Sequence, residues 1–236
     1  MNKFLKALLY LSAFVVAFVF GYLYPPAEQR SQAKSLDQDS ALYLTMPFKE
    51  KSIWKNFQNQ DGKFTPSDGD TWFVYGWFGA IESNKVTNRY SVFNNRHQGI
   101  DFSALENLPV SASAAGEVYY VGEFYGKTVV VKHRDGYFTV YGHLARVEVR
   151  EGDNVSRGEE IGTVGATGTT NPHLHFELRR VTDQGIYLIN PRKLLRTDWS
   201  QVVVPDFPAN RFYQGDAWNP DDQPDFLLPE GYNFKQ

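Results

Sequence analysis

Glu117-Val118-Tyr119-Tyr120-Val121, Thr128-Val129-Val130-Val131 and Tyr137-Phe138-Thr139-Val140-Tyr141 follow one another between residues 117 and 141. Each run is short and rich in β-branched and aromatic side chains, which suit a pleated, half-buried surface. Punctuation at Gly122, Gly126 and Asp135-Gly136 predicts turns between them. The same texture extends outward from Thr71 to Leu195, so a mainly β domain is expected over residues 71–196.

Within that domain, four of the five histidines fall in three signatures: His97-Gln98-Gly99-Ile100-Asp101, Tyr141-Gly142-His143-Leu144 and His173-Leu174-His175. Side chains two apart in a strand share a face, so His173 and His175 can look into one pocket. That pair supplies two ligands, or one ligand and one catalytic group. The spacing of His97 and Asp101 would also align them on a helix, but Gly99 and Ile100-Asp101-Phe102 favour a loop entering a strand. His97, Asp101 and one histidine of the later pair would form a three-ligand zinc site with an open fourth position, the pattern of a hydrolytic centre. Taken singly, each signature is weak. An H-x-H pair is more often exposed or satisfied in a core, and His143 alone would be a hydrogen-bonded strand-end residue. His133, in Val131-Lys132-His133-Arg134-Asp135, reads as structural or exposed and stays outside the metal set.

Composition narrows the chemistry. The chain has no cysteine, which removes thiolate metal sites, cysteine nucleophiles and disulfides together. With 236 residues, 42% of them hydrophobic and 16% aromatic, it can bury one good core. A net charge of −3 and a pI near 6.0 give no broad basic surface, so nucleic acid is excluded as a main partner.

Lys3 and Lys6 precede an uncharged, largely apolar run over residues 7–24, which reaches the lower length of a membrane helix. Residues 1–26 are therefore expected to be a single-pass anchor, with the lysines in the cytoplasm and everything beyond Pro25 exported. A cleaved signal peptide is the rival, although Phe20-Gly21-Tyr22-Leu23-Tyr24 offers no good small-x-small site. Residues 27–40, rich in Gln, Ser and charge, read as a polar tether. Residues 41–70, with isolated apolar positions such as Phe48, Ile53 and Trp54, form an extension without an assignable pattern. Residues 197–236 hold seven acidic and two basic residues, five prolines and eight aromatics. They read as an extension packed irregularly on the domain, a docking or inhibitory segment, or a disordered tail.

The three histidine signatures do not stand alone. Together with Pro109-Val110-Ser111-Ala112, Gly116-Glu117-Val118, the stretch from Gly136 to Leu144, residues 162–168 and the Phe176-Glu177 that follows the last pair, the chain from about Trp72 to Leu195 resembles the lysostaphin-type (LytM-like) zinc metallopeptidases of bacterial peptidoglycan. The resemblance implies compact antiparallel β-sheets with a groove across the metal, and a domain ending near Asn190-Pro191. It implies one zinc ion per chain on His97, Asp101 and His175, with His143 and His173 acting on the water and the developing oxyanion. It implies peptidoglycan stem peptides as substrate and a catalytic domain facing the periplasm or extracytoplasmic space. One departure is Tyr75-Gly76-Trp77-Phe78-Gly79, standing for a glycine-rich segment that commonly carries a nearby arginine; this is expected to bear on groove shape and substrate choice, not on zinc.

Two other readings compete. Some proteins of this fold have lost ligands and serve as activators or scaffolds, but all five signature residues are present here. A carrier domain is the other, because residues 109–165 resemble the half-barrels of biotinyl and lipoyl domains. Such carriers need an attachment lysine on a hairpin, flanked by methionine in the biotin case, and the only methionines are Met1 and Met46.

Overall fold

A computed structural model of the chain describes residues 41–49, 58–60, 63–65, 72–79, 97–199, 202 and 225–228. The predicted anchor and tether lie outside the described residues. Among those described, no helix is long and apolar enough to cross a membrane.

The described residues hold fourteen strands and two single 3-10 turns, at Arg134–Gly136 and Pro191–Lys193. The strands are β1 (Gln58–Gln60), β2 (Lys63–Thr65), β3 (Trp72–Gly76), β4 (Ile100–Ala104), β5 (Pro109–Ser111), β6 (Gly116–Glu123) and β7 (Lys127–Lys132). They continue with β8 (Tyr137–Gly142), β9 (Leu144–Val147), β10 (Asn154–Val155), β11 (Glu160–Val164), β12 (His173–Thr182), β13 (Gly185–Ile189) and β14 (Phe226–Leu227). The mainly β expectation is met.

The three runs between residues 117 and 141 become β6, β7 and β8, paired antiparallel in sequence order. The β7–β8 connection turns at Asp135 and Gly136, whose positive φ angles of 58° and 73° match the twist of a tight hairpin. Gly122 is not a turn. It sits inside β6 opposite Thr128, and the chain reverses at residues 124–126. A Cβ there would collide with the Tyr120 hydroxyl, so the tyrosine ring lies across the space that glycine leaves open.

The strands form a large antiparallel sheet ordered β10-β6-β7-β8-β12-β13-β14, with β4 also pairing β12 and β3 pairing β4. A smaller sheet runs β5-β11-β9. Strand β12 is the axis. Its first half pairs β4 and its second half pairs β13 along one side, while β8 runs along the other. Alternation gives β12 two unlike faces: Leu174, Phe176 and Leu178 are fully buried in the main apolar core with Ile100, Phe102 and Tyr141, whereas His173, His175, Glu177 and Arg179 point to the other side.

The unassigned extension contributes to this core at its start. Leu44 and Phe48 are buried, and Phe48 packs 5.4 Å from Trp72 and 5.8 Å from Phe102 between ring centroids. The Leu44 backbone bridges Leu194 and Arg196 at the end of the predicted domain. In the C-terminal extension, β14 adds as an edge strand to β13, Leu228 is buried, and Asp225 pairs with Lys193 at 2.7 Å.

Candidate metal centre

Register in four neighbouring strands brings the signatures together. Asp101 on β4 stands opposite His175 on β12, His175 stands opposite Gly142 on β8, and Gly76 on β3 stands opposite Asp101. His97 precedes β4 in an irregular lead-in, as the loop-into-strand reading expects. His143 follows β8 immediately, in a left-handed conformation with φ of 61°, unusual for a residue with a Cβ and typical of strained functional positions.

Three ligand-type atoms, from His97, Asp101 and His175, lie within 4.8 Å of one another. Asp101 Oδ1 is 3.2 Å from His97 Nε2 and 2.7 Å from His175 Nδ1. His173 is next to this group, its Nε2 3.9 Å from the same oxygen. His143 packs against His173 with ring centroids 4.5 Å apart and planes tilted by 50°, and is 6.1 Å from His175. All five residues singled out from the sequence thus meet in one place.

The ring nitrogens have defined orientations. His97 Nδ1 meets the Trp77 carbonyl at 3.0 Å, His143 Nδ1 the Thr167 carbonyl at 2.8 Å, and His173 Nδ1 the Asn171 carbonyl at 2.9 Å. A carbonyl only accepts, so in each case Nδ1 carries the proton and Nε2 the lone pair. His175 is reversed: its Nε2 meets Glu177 Oε1 at 3.0 Å and its Nδ1 faces Asp101. Glu177 Oε2 accepts from Arg179 Nε at 2.6 Å, and both residues are fully buried. The Tyr125 hydroxyl donates to Gln98 Oε1 at 2.6 Å and its ring packs at a tilt against His175, centroids 4.5 Å apart.

Charge follows from these contacts. Burial by itself would raise the Asp101 pKa, but His97, His173 and His175 outweigh it and hold the carboxyl well below its usual range. Burial opposes protonation of His175, yet hydrogen bonds and charge from Asp101 and then Glu177 push it up to about 10. Lying between two acceptor-only carboxylates, His175 keeps both ring protons until a cation replaces the one on Nδ1. His143 moves the other way, to about 4, through burial first and then repulsion from His173 and His175. It is a neutral base at pH 7.

Two imidazoles and one carboxylate with their donor atoms turned inward fit a catalytic zinc-type cation. The fit rests on the orienting partners as much as on the ligands. Those partners include residues the sequence reading passed over: Glu177, Arg179, Tyr125, Gln98 and Thr167. The period-two continuation His173, His175, Glu177, Arg179 was a legible signal for two of them; Tyr125 and Thr167 come from distant loops and left none. The Tyr75–Gly79 stretch needs correction as well. The expectation that it does not bear on zinc fails, because the Trp77 carbonyl orients His97 and a Cβ on Gly76 would stand 3.2 Å from Asp101 Oδ2 and His97 Cε1. His133 is 5% exposed and remote from this cluster in its contacts, bonded through Nδ1 to the Ala115 carbonyl and through Nε2 to Thr139 Oγ1.

Among curated proteins, the chain is 46% identical over 86 residues to the DD-carboxypeptidase/endopeptidase Mpg of Neisseria meningitidis, covering 35% of this chain and 20% of that protein. It is 36% identical over 98 residues to the murein hydrolase activator NlpD of Escherichia coli, covering 40% of this chain and 26% of that one. The curated relatives are matched over only part of their length, 14% of one and 40% of another. Among solved structures, a mutant catalytic domain of the prophage-encoded M23 protein EnpA from Enterococcus faecalis is 30% identical, with a TM-score of 0.43, covering 54% of this chain and 94% of that one. The sequence model of peptidase family M23 matches residues 95–188, a span that takes in His97, Asp101, His143, His173 and His175, so the chain carries a peptidase family M23 domain.

Proposed function

We propose that the chain is a zinc-dependent endopeptidase that hydrolyses peptide crosslinks of bacterial peptidoglycan, exported and held at the inner membrane by residues 7–24. The observation that carries the reading is the convergence of His97 Nε2, Asp101 Oδ1 and His175 Nδ1 beside two imidazoles whose Nδ1 atoms are already committed to carbonyls. A cation held there supplies a Lewis acid that polarises a carbonyl and acidifies water. His143, neutral and with its lone pair on Nε2, is placed to accept a proton. His173 presents Nε2 on the same side and would stabilise negative charge developing on the substrate oxygen once a proton has been transferred to that atom. The two adjacent imidazoles share the two roles, so peptide hydrolysis needs no protein nucleophile.

The test uses the full chain with purified sacculi, followed by analysis of the released muropeptides. Loss of crosslinked species with zinc, abolished by a chelator, is the expected result and also identifies the bond cut. A D-alanyl to diaminopimelate link is the expected one. A second reading, a non-catalytic activator, is favoured by the 36% identity to a protein named murein hydrolase activator. It predicts that the chain leaves sacculi unchanged by itself and accelerates their cleavage by a separate hydrolase.

A further inference from the structure

The alternation along β12 that aims His173 and His175 into the cluster continues through Glu177 and Arg179. These two have no solvent exposure, and Glu177 Oε1 lies 3.0 Å from His175 Nε2 while Oε2 takes Arg179 Nε at 2.6 Å. Neither touches the space where a substrate would lie. The other three imidazoles are each backed by a main-chain carbonyl, whereas His175 has a charged side chain behind it.

The difference has a geometric reason. His175 faces Asp101 through Nδ1, the ring nitrogen nearest its own backbone. A half-turn of the ring would put a carbon in that place and leave Asp101 without a nitrogen opposite. A carboxylate accepts but cannot donate, so it holds the ring with Nε2–H toward Glu177 and Nδ1 toward Asp101. The bond is charge-assisted and therefore stronger and more directional than one to a neutral carbonyl. A buried carboxylate needs a counter-charge, which Arg179 supplies two residues further along the same face.

We propose that Glu177, held in place by Arg179, is a positioning residue for His175, fixing the ring orientation and the tautomer that presents Nδ1 to a metal ion. The inference rests on the reading that His97, Asp101 and His175 hold zinc.

The experiment compares the full-length wild type with E177Q and with the charge-balanced double variant E177Q/R179M. Zinc affinity is measured by competition with a chromophoric chelator, and the His175 Nε2–H resonance of the zinc-loaded proteins by nitrogen-edited NMR. The wild type should show a downfield, slowly exchanging Nε2–H. In E177Q that signal should move upfield or exchange away, and zinc affinity should fall by about 10- to 100-fold. The double variant should fold with wild-type circular dichroism and show the same loss, which separates positioning from a charge imbalance. If E177Q does not fold, the double variant decides. A folded variant lacking Glu177 that keeps both wild-type zinc affinity and the wild-type resonance overturns the inference. A wild type that binds no zinc overturns instead the ligand reading beneath it.

Discussion

His133, just past the end of β7, and His175, on β12, are both buried histidines of one sheet with β8 between their strands, each 5% exposed, and they do opposite things. The two ring nitrogens of His133 are spent inside the fold, on the Ala115 carbonyl and on Thr139 Oγ1, which also lies 3.0 Å from the Tyr141 hydroxyl. His175 has one nitrogen fixed by Glu177 and the other aimed at a carboxylate that two further histidines approach. Burial and residue type are equal. What separates a structural imidazole from a ligand is whether the second nitrogen meets a closed partner or a shared oxygen.

The largest expected effect comes from removing the ligand. His175→Ala should take bound zinc from one per chain to none in metal analysis, with muropeptide release falling to background. It should also abolish any rise in melting temperature on adding zinc, because a ligand that binds only the folded chain stabilises it. Retention of stoichiometric zinc by this variant would break the comparison outright. Next is His143→Ala, which should keep its zinc while kcat falls by about 10²- to 10⁴-fold, the usual contribution of a positioned acid or base. Zinc content and rate must be measured on the same sample for the contrast to count.

His133→Ala tests the other side. Two buried partners lose their hydrogen bonds, at a cost of about 1–3 kcal/mol, which should lower the melting temperature by roughly 2–4 °C per kcal/mol for a domain of this size. Zinc content and the rate at a temperature well below unfolding should be those of the wild type. The smallest effect is predicted for Gly76→Ala. Its Cβ would press on Asp101 and His97 at 3.2 Å, so zinc should be held less tightly, by less than about tenfold, with the thermal transition of the zinc-free chain little changed.

Much of this is legible in the amino-acid sequence. The β-branched runs specify β7 and β8 because their side chains suit a buried pleated sheet, and period two along His173-Leu174-His175 places both imidazoles on one face. What could not be read was register. Nothing local in Asp101 says that it will stand opposite His175 rather than Phe176, and that single step decides between a ligand and a buried charge. The orienting groups were hidden for a related reason: the carbonyls of Trp77, Asn171 and Thr167 belong to the main chain, which every residue has, so no residue type marks them. Gly122 misled because glycine signals either a turn or a close approach, and only the position of Tyr120 tells which.

The pairing of β4 with β12 joins residues 74 positions apart, Asp101 to His175, while His97 and Asp101 are neighbours in the chain. An ion held by the proposed ligands would therefore distinguish a half-made molecule from a finished one. A chain emerging N-terminus first presents one ligand pair long before the third ligand exists, and tight retention must wait for closure of a distant, slow contact. Metal uptake followed in time would report the last pairing step of folding, and a chain stalled before it would carry no active centre in transit.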